Sequence, residues 1–563
     1  MSVELPLVVE NLTFRYRDRP QPAIRNISFN AQKGELVLIA GSSACGKTTL
    51  ARCINGLIPR SYKGELTGRV LLAGQDYSRE PLSRISQVVA TVLQDPERQI
   101  LGTKVLNEVA FGLENLGVKR AEILPRVDEA LGRLKITDLR QRETFSLSGG
   151  EKQKVALAGV LAMRPSILLL DEPLASLDPA SAQETLAIVR TLADEGMTVL
   201  MIEHRVEDVL HIRPSQVLFI SAGEIRYQGG VEGMLQAVSY REVKLPAALI
   251  LQKAAADPPP PPFEPAVARA AAMEVGREER QPGAAAARPQ PLVRFEQVVF
   301  GYESEQTVLK GITLEIQRGD IMAVLGPNGA GKTTLVKHAI GLLKPKSGQV
   351  LVDGRDTRQL SVAQVAATLG YVFQSPSHML FAPTVYEELA FGPRNLHHPP
   401  QEIEKEVQEA IQIVHLDGLE KDPPLALSFG QQKRVSIAAI LAMRSRILVM
   451  DEPTAGQDYR NYMDFMDAIL QMPGFEAVLF ITHDIDLAVI YANRVLVINQ
   501  GQVVCDGSPA EALADFERLR ASRLVPTSLL QANLERFGQT GRFLRAEALA
   551  HLPLATGGSP PKS

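Results

Sequence analysis

Cysteines, long apolar runs and an excess of either charge are all scarce in this sequence. It contains three cysteines, Cys45, Cys53 and Cys505, which form no CxxC pair and so cannot build a thiolate metal cage. Their scarcity favours a reducing, cytosolic compartment. The longest apolar stretches, such as 167–170 and 478–481, fall far short of the roughly 20 residues needed to cross a bilayer. We therefore expect no membrane span, and the N-terminal sequence shows no signal-peptide pattern.

The charge balance excludes a further class of function. The 563 residues include 60 basic and 64 acidic side chains, which gives a formal charge of −4. A protein that binds nucleic acid through bulk electrostatics is much more basic, so broad nucleic-acid binding is disfavoured. The 45% apolar and 22% charged fractions are close to the globular average, and most of the chain should fold.

What the sequence does contain is one domain written twice. The segment GSSACGKTTL at 41–50 recurs as GPNGAGKTTL at 326–335, an offset of 285 residues. The segment ILLLDEPLASLD at 167–178 recurs as ILVMDEPTAGQD at 447–458, an offset of 280 residues. Because each copy is as long as a whole domain, this pattern indicates a tandem duplication and not a solenoid of short repeats.

The repeats and the composition predict the domain boundaries. Domain 1 covers residues 1–250 and domain 2 covers residues 292–515. Between them, residues 251–291 are rich in proline and alanine, which predicts a linker with a stiff proline run and a flexible remainder. Residues 516–563 form a C-terminal tail that has helical patterns over 527–550 and a final segment expected to be disordered.

Each copy begins with a β-like meander and continues with an apolar strand that ends at a glycine. The strand that ends at Gly41 is followed at once by a helical pattern, and the strand that ends at Gly326 repeats this order. A continuous apolar run is typical of a strand buried on both faces. Later apolar strands, such as 167–170 and 198–203, alternate with helical stretches, which predicts a parallel α/β sheet.

Both copies contain the pattern GxxxxGKT of a phosphate-binding P-loop. The glycines let backbone N–H groups wrap a polyphosphate, and the following helix N-terminus adds a favourable dipole. In this motif Lys47 and Lys332 hold the β- and γ-phosphates, while Thr48 and Thr333 bind Mg²⁺. The residues predicted to bind ATP are Gly41, Ser42, Ser43, Ala44, Cys45, Gly46, Lys47, Thr48 and Thr49, together with Gly326, Pro327, Asn328, Gly329, Ala330, Gly331, Lys332, Thr333 and Thr334.

A pair of acidic residues follows an apolar strand in each copy. Asp171 and Glu172 end the first of these strands, and Asp451 and Glu452 end the second. An aspartate in this position can orient Mg²⁺ or its waters, and the adjacent glutamate can polarise an attacking water. We therefore predict Asp171 and Asp451 at the metal, and Glu172 and Glu452 as catalytic residues.

The motifs LSGGEKQ at 147–153 and LSFGQQK at 427–433 resemble the signature of ATP-binding-cassette (ABC) ATPases. The resemblance covers nearly the whole chain apart from the linker and the tail. It implies an α/β fold with two P-loop NTPase (ABC ATPase) domains. Each domain would contain a RecA-like parallel sheet core, an antiparallel β subdomain and a helical subdomain.

The resemblance also implies individual roles. Tyr16 and Tyr302 match the aromatic residue that stacks on adenine, although each could instead be an ordinary strand residue. The other matches are Gln94 and Gln374 in the Q-loops, where they bind nucleotide and metal; Asp178 and Asp458 in the D-loops; the catalytic switch histidines His204 and His483; and the signature residues Ser148, Gly149, Gly150, Ser428 and Gly430.

In ABC ATPases each nucleotide lies between the P-loop of one domain and the signature of the other. The resemblance therefore implies an intramolecular head-to-tail pair with two composite sites. One site would join Lys47, Glu172 and His204 to Ser428 and Gly430, and the other would join Lys332, Glu452 and His483 to Ser148 and Gly150.

Two departures from the motifs lie in the second copy. Phe429 replaces the glycine found at Gly149, and Gln457 replaces the leucine found at Leu177. Only glycine lacks a Cβ, so a phenyl ring cannot occupy a place where backbone must approach phosphate. The resemblance assigns phosphate contact to Ser428 and Gly430, which leaves Phe429 free to point into the helical subdomain. We expect slower hydrolysis at the Lys47 site.

The linker and motifs narrow the kind of ABC protein. DNA-repair members carry zinc cysteines or a long coiled coil, and neither is present. Soluble tandem members that act on ribosomes carry NHLD after DEP, whereas this chain has SLD and GQD. Sugar-importer ATPases often lose the second P-loop lysine, whereas Lys332 is kept. A ribosome or translation factor of the ABC-F type remains the alternative.

Residues 92–118 and 372–396 resemble the ATPases of energy-coupling factor (ECF) importers. That resemblance implies ATP and Mg²⁺ as cofactors and a peripheral position on the cytoplasmic face of the cell membrane. It implies a transmembrane coupling subunit and a small substrate-binding membrane subunit as partners. The cargo would be a vitamin or transition metal, with the thiamine precursor hydroxymethylpyrimidine as the first candidate. Four apolar residues after the Q-loops could contact such a partner or pack in the helical subdomain: Ile100, Leu101, Leu380 and Phe381.

The sequence also predicts the behaviour of two cysteines. Cys45 precedes the last glycine of a P-loop, close to Lys47 and to a helix N-terminus. Such surroundings lower the pKa of a thiol and make it reactive, so alkylation of Cys45 should block ATP binding and MgATP should protect it. Cys53, farther along the same helix, is expected to be buried and inert.

Overall fold

The computed structural model describes residues 5–175, 177–278, 290–302, 307–374, 376–454 and 457–552. The chain divides into two compact units. The first unit consists of Met1–Leu249 and Gly456–Asn461, and the second of Ile250–Ala455 and Tyr462–Ser563.

Two sheets form the first unit. Strands β1, β2, β4 and β5 make an antiparallel sheet in the order β2-β1-β4-β5, and the others make a second sheet in the order β10-β9-β3-β8-β7-β6. In the second sheet only β10 runs antiparallel to its neighbour. The strands are β1 (Leu7–Tyr16), β2 (Ile24–Ala31), β3 (Leu36–Gly41), β4 (Gly64–Leu72), β5 (Gln75–Asp76), β6 (Val89–Val92), β7 (Ile167–Asp171), β8 (Thr198–Ile202), β9 (Gln216–Ser221) and β10 (Glu224–Gly229).

The burial of the strands follows their sequence patterns. Strand β3 reads LVLIAG and is buried along its whole length, as expected for a central parallel strand. Strand β1 alternates buried and more exposed residues, with an irregularity in its pairing after Glu10. Because β3, β7 and β8 run parallel, their carboxyl ends lie at one edge of the sheet. This edge carries Gly41, Asp171 and the residues that follow Ile202.

Helices cover the parallel sheet and also form a separate layer between β6 and β7. In that layer α6 packs against both α4 and α5. The helices are α1 (Lys47–Ile54), α2 (Leu57–Arg60), α3 (Leu82–Val88), α4 (Val105–Asn115), α5 (Arg120–Arg133), α6 (Gly149–Ala162), α7 (Pro179–Asp194), α8 (Val206–Leu210) and α9 (Val231–Ala237). Helix α10 (Ala247–Ala254) crosses the boundary in sequence between the units, and α11 (Ala266–Glu278) begins the second unit's helices.

The second unit repeats this architecture. Its antiparallel sheet has the order β12-β11-β14-β15, and its larger sheet has the order β16-β17-β18-β13-β19-β20 with only β20 antiparallel. The strands are β11 (Val293–Phe300), β12 (Leu309–Ile316), β13 (Ile321–Leu325), β14 (Ser347–Val352), β15 (Arg355–Asp356), β16 (Leu369–Val372), β17 (Ile447–Asp451), β18 (Ala477–Ile481), β19 (Arg494–Asn499) and β20 (Gln502–Gly507).

The later helices follow the same order as in the first copy and then continue into the tail. They are α12 (Lys332–Ala339), α13 (Val362–Ala366), α14 (Val385–Asn395), α15 (Pro400–Ile413), α16 (Phe429–Ala442), α17 (Tyr459–Gln471), α18 (Ile485–Tyr491), α19 (Pro509–Leu513), α20 (Phe516–Ala521), α21 (Ser528–Thr540) and α22 (Ala546–Leu549). The α/β prediction is confirmed. Within the described residues, no helix is long and apolar enough to cross a membrane.

The linker differs from the expectation. Its proline run precedes helix α11, where we expected flexible chain, and Val267 on that helix is buried. The reason is composition, because the alanine-rich sequence AVARAAAMEV has high helix propensity and one apolar face. Helices α21 and α22 confirm the helical pattern of the tail. The final segment predicted to be disordered, 556–563, lies outside the described residues.

Candidate functional site

The P-loop of the first copy begins where β3 ends. Gly41 has φ +149°, and a Cβ there would lie 2.1 Å from the Ile220 carbonyl oxygen. Gly46, at φ +112°, leaves no room either, since its Cβ would lie 2.6 Å from the Ala23 carbonyl oxygen. These two positions therefore require glycine, and helix α1 starts immediately after the second of them.

The lysines of both P-loops are buried in the loops that precede them. Lys47 Nζ donates to the carbonyl oxygens of Gly41 at 2.9 Å and Ser42 at 2.8 Å. Lys332 Nζ donates to the carbonyl oxygens of Gly326 at 2.7 Å and Pro327 at 3.0 Å. Each ammonium group is thus held by carbonyl oxygens of its own P-loop, close to the N-terminus of the following helix, where anionic groups are favoured.

At the end of β7, three predicted residues meet. Glu172 Oε2 accepts a hydrogen bond from Gln94 Nε2 at 2.6 Å, and Glu172 Oε1 lies 2.8 Å from His204 Nε2. The backbone of Glu172 has φ +50°, an uncommon value for a residue with a side chain. Strained backbone of this kind is common at functional sites. The Glu172 carboxylate thus lies between the Gln94 amide and the His204 imidazole.

The second copy repeats this arrangement around Glu452. His483 Nδ1 lies 2.9 Å from Glu452 Oε1, and Glu452 has φ +46°. Thr333 Oγ1 donates to Asp451 Oδ2 at 3.1 Å, and the Tyr371 hydroxyl donates to the same oxygen at 2.8 Å. A threonine hydroxyl beside an aspartate supplies the hard oxygen ligands that Mg²⁺ prefers, so the residues present fit the ion.

The two tyrosines predicted to stack on adenine lie in equivalent places in the two copies. The Tyr16 hydroxyl is 3.2 Å from Thr49 Oγ1, and the Tyr302 hydroxyl is 3.3 Å from Thr334 Oγ1. Both tyrosines thus lie beside the first turn of the P-loop helix. Tyr302 is 60% exposed, which leaves an aromatic surface available to a planar ligand. Their stacking role stays a prediction.

Comparison with known proteins identifies the family of this chain. The sequence matches the family described as ABC transporter over residues 24–175 and 309–455. The chain belongs to this family. It is 36% identical over 539 residues to an ABC transporter ATP-binding protein of Methanosarcina mazei, covering 92% of this chain and 91% of that protein.

Two further relatives extend the comparison. An ABC transporter ATP-binding protein of Caldanaerobacter subterraneus subsp. tengcongensis is 35% identical, over 96% of this chain and 98% of its own length. A solved structure of cbiO1 from Clostridium perfringens, described as part of the ABC transporter complex cbiONQ, is 34% identical. It covers 45% of this chain and 98% of its own, with a TM-score of 0.38. As an ABC transporter ATP-binding protein, this chain is an ATPase with two nucleotide-binding domains.

Burial shifts the pKa values of acidic side chains at the two sites. It raises the pKa of the Asp171 carboxyl to about 6, and the nearby Glu172 carboxylate adds to the effect. Burial likewise raises the pKa of Asp451. Burial alone would also raise the pKa of Glu452, but His483 and Lys332 outweigh it and lower that pKa. The pKa of Glu452 thus lies below its usual range, because these two neighbours favour the charged carboxylate.

The signature residues occupy helix N-termini. Ser148 caps α6 in a capping box with Glu151, and Ser428 caps α16 in a capping box with Gln431. A Cβ on Gly430 would meet nothing within 4 Å, so that glycine is not required for packing. We predicted that the side chain of Phe429 points into the helical subdomain, and this side chain lies outside the described part of the structure.

The D-loop aspartates are both buried caps. Asp178 Oδ1 accepts from the Ser181 N–H at 2.9 Å. Asp458 Oδ1 accepts from the Asn461 N–H at 2.9 Å, and its Oδ2 accepts from the Ser43 N–H at 2.5 Å within the first unit.

The expectation for Cys45 is wrong. Its thiol is only 4% exposed, and burial raises its pKa even though Lys47 Nζ lies 3.8 Å from Sγ and opposes the shift. Spacing along the chain placed the thiol beside a cation, but the lost hydration outweighs that charge. The expectation for Cys53 is confirmed, since it is buried and its pKa is raised to about 12.

This correction changes the labelling prediction. In the folded apo-protein at neutral pH we expect Cys505, which is half-buried, to react with iodoacetamide before Cys45 and Cys53, which are buried. Mass spectrometry of timed samples would give the three rates, and the denatured protein would serve as the control. Faster labelling of Cys45 than of Cys505 would contradict the structure.

Sequence reasoning missed three residues beside the predicted sites. Tyr371 binds Asp451 as described. Glu203 is 2% exposed and its Oε1 accepts from the His204 N–H at 2.9 Å, while burial raises its pKa. Lys433, the last residue of the motif LSFGQQK, is 2% exposed. For Glu203 the available signal was a charged residue next to a switch histidine.

Proposed function

We propose that this ABC ATPase is the ATP-hydrolysing subunit of an ECF-type importer. It binds membrane subunits at the cytoplasmic face of the cell membrane and couples ATP hydrolysis to uptake of a vitamin or related small molecule. A transmembrane coupling subunit and a small substrate-binding subunit are the proposed partners. The cargo proposed first, from the sequence resemblance, is the thiamine precursor hydroxymethylpyrimidine.

A repeated set of exposed apolar side chains carries this proposal. In the first unit Leu101 is 70%, Phe111 44% and Phe145 74% exposed. In the second unit Phe381 is 62%, Phe391 50% and Leu425 56% exposed, each 280 residues after its counterpart. A large apolar side chain exposed at the same place in both copies favours a binding surface for an apolar partner.

Hydrogen bonds fix the backbone of the loop that carries Leu101 in the first copy and Phe381 in the second. The N–H groups of Leu101 and Gly102 donate to Glu108 Oε2 at 2.8 and 2.6 Å. The N–H groups of Phe381 and Ala382 donate to Glu388 Oε2 at 2.9 and 2.8 Å. Buried glutamates therefore fix the backbone that carries Leu101 and Phe381, which lowers the entropic cost of binding through these two side chains.

The sequence analysis offered four residues either as partner contacts or as packing residues of the helical subdomain, and they divide between these two roles. Leu101 and Phe381 belong to the exposed surface, and the Phe381 ring packs against Phe391 with centroids 4.8 Å apart. Leu380 is 4% exposed and is core, and Ile100 is half-buried.

For the reaction itself we propose that Glu172 and Glu452 activate the attacking water. In the first unit Gln94 and His204 orient the carboxylate, and in the second His483 does so. Mg²⁺, held through Thr48, Gln94 and Asp171 or through Thr333, Gln374 and Asp451, would neutralise phosphate charge. Lys47 and Lys332 would bind the phosphates.

The signature residues Ser148, Gly149, Gly150, Ser428 and Gly430 complete the proposed sites by head-to-tail pairing of the two domains. The duplication supports this pairing, because each copy keeps a P-loop, an acidic pair and a signature.

Affinity purification from the native host in mild detergent tests the function. We expect polytopic membrane proteins to co-purify in amounts comparable to the ATPase, and a Leu101→Asp, Phe381→Asp variant to lose them while keeping basal ATP hydrolysis. Co-purification of ribosomes in place of membrane proteins would support the alternative, an ABC-F-like translation factor, and would overturn this proposal.

The two sites should differ in rate. The second-copy departures, Phe429 and Gln457, would both border the site built on Lys47, so we expect slower hydrolysis there. Comparison of ATP turnover in Glu172→Gln with turnover in Glu452→Gln measures the difference. The first variant should keep most of the activity and the second should lose most of it, whereas equal losses would remove the asymmetry.

A further inference from the structure

A buried lysine in the second unit contacts the turn that carries Glu452. Lys433 lies on α16, five residues after Ser428, and is 2% exposed. Its Nζ donates to the carbonyl oxygen of Pro453 at 2.5 Å and lies 5.6 Å from the centroid of the Phe465 ring. A buried ammonium group needs such partners, because desolvation is costly.

The turn in question directly follows the proposed water-activating carboxylate. Pro453 is the residue after Glu452, whose backbone is held at φ +46°. Burial lowers the pKa of the Lys433 ammonium group to about 7, and the Glu452 carboxylate opposes that shift. Lys433 therefore interacts with this segment both through a hydrogen bond to its backbone and through the charge of its carboxylate.

Among the described residues of the first unit, no equivalent contact is found. The residue equivalent to Lys433 is Gln153, which is also buried, at 3% exposure, but its Nε2 has no hydrogen-bond partner. The residue equivalent to Phe465 is Thr185, and a small apolar cavity lies beside Gln153, Pro173 and Thr185. The shorter side chains of the first unit thus leave a gap where Lys433 and Phe465 pack in the second.

The first unit holds its turn through other residues, an acidic one and a basic one. Glu203 Oε2 accepts from the Leu174 N–H at 3.3 Å, and Arg205 Nη1 donates to the Leu174 carbonyl oxygen at 3.3 Å. The residue equivalent to Glu203 is Thr482, whose Oγ1 accepts from the Asp484 N–H at 3.1 Å. The two catalytic turns are therefore supported by different residues.

We propose that Lys433 is a positioning residue for ATP hydrolysis in the second domain, where it fixes the Glu452 turn through the Pro453 carbonyl. The inference rests on Glu452 acting as the water-activating carboxylate. Lys433 contributes to the rate by holding that carboxylate in place, because small displacements of a reacting group are costly in rate. Gln153, whose amide makes no such bond, does not contribute in this way.

The experiment measures kcat, ATP affinity and Tm in a Glu172→Gln background, where turnover reports on the second domain. Lys433→Met keeps the length of the side chain and removes its donors, and Lys433→Gln introduces the residue of the first copy. We expect each to lower kcat by about 10- to 100-fold with unchanged ATP affinity. Lys433→Met should also keep or raise Tm, because it removes a buried charge.

The matched control is Gln153→Met in a Glu452→Gln background, which should leave the remaining turnover unchanged. A kcat for Lys433→Met within about twofold of its parent would overturn the proposal. A lowered Tm with weakened ATP binding in both Lys433 variants would also overturn it, since it would make Lys433 a structural residue. Glu452→Gln in the same Glu172→Gln background tests the premise separately, because it should lower turnover by about 10²- to 10⁴-fold whether or not Lys433 is substituted.

Discussion

The double variant Glu172→Gln, Glu452→Gln should bind ATP as tightly as the wild-type protein and hydrolyse it about 10²- to 10⁴-fold more slowly. The structure gives the reason, because each carboxylate is held by an imidazole at 2.8 or 2.9 Å and stands at the end of a buried strand. An amide keeps the shape, but it has one acceptor oxygen in place of two and cannot accept the proton of an attacking water. Steady-state phosphate release and equilibrium ATP binding measure the two effects.

The matched control for this variant is Glu122→Gln with Glu402→Gln. Both residues are exposed and lie in the first turn of a helix, one in each unit, and neither belongs to a site described above. Near-normal turnover in the double catalytic variant would show that Glu172 and Glu452 serve the fold alone. Loss of ATP binding would show that the substitutions disturb the P-loops.

The second large effect concerns the backbone of the P-loop. Gly326→Ala places a Cβ 2.1 Å from the Ile498 carbonyl oxygen at φ +149°, so the loop or strand β19 must move. We expect the second unit to lose more than about 3 kcal/mol of unfolding free energy, in the range of severe core substitutions. Urea unfolding followed by circular dichroism measures the loss.

Gly538→Ala is the control for this substitution. Gly538 lies inside helix α21, and a Cβ there would meet nothing within 4 Å. Alanine is a better helix former than glycine, so this variant should be as stable as the parent or more stable. A Gly326→Ala protein with the parent's urea midpoint would contradict the packing described for the P-loop.

Much of the fold could be predicted because the motifs lie at strand ends. The apolar strands that end at Gly41 and Asp171 could be recognised from their unbroken hydrophobic runs, and parallel strands bring their carboxyl ends to one edge. The resemblance to ABC ATPases implied that His204 and Glu172 share one site, and they lie 2.8 Å apart. The duplication then supplied the second site at the same positions.

The errors share one physical cause, because burial is a property of three-dimensional packing and not of spacing. Cys45 is next to Lys47 along the chain, yet its raised pKa comes from the loss of water around it. The composition of the linker predicted flexible chain after the proline run, whereas α11 forms from the alanine-rich part and buries Val267. Lys433 gave no signal by itself, since lysine is ordinary on a helix and its burial depends on Phe465 and Pro453.

The most direct test of the proposed function is site-specific photo-crosslinking from the exposed apolar surface in the native host. A photoreactive residue at position 381 or 101, followed by mass spectrometry of the adducts, identifies what covers each anchor. A probe at Val504, which is exposed on β20, is the control. The account predicts adducts with polytopic membrane proteins from positions 381 and 101 and none of these from position 504. Adducts with ribosomal proteins, or none with membrane proteins, would contradict it.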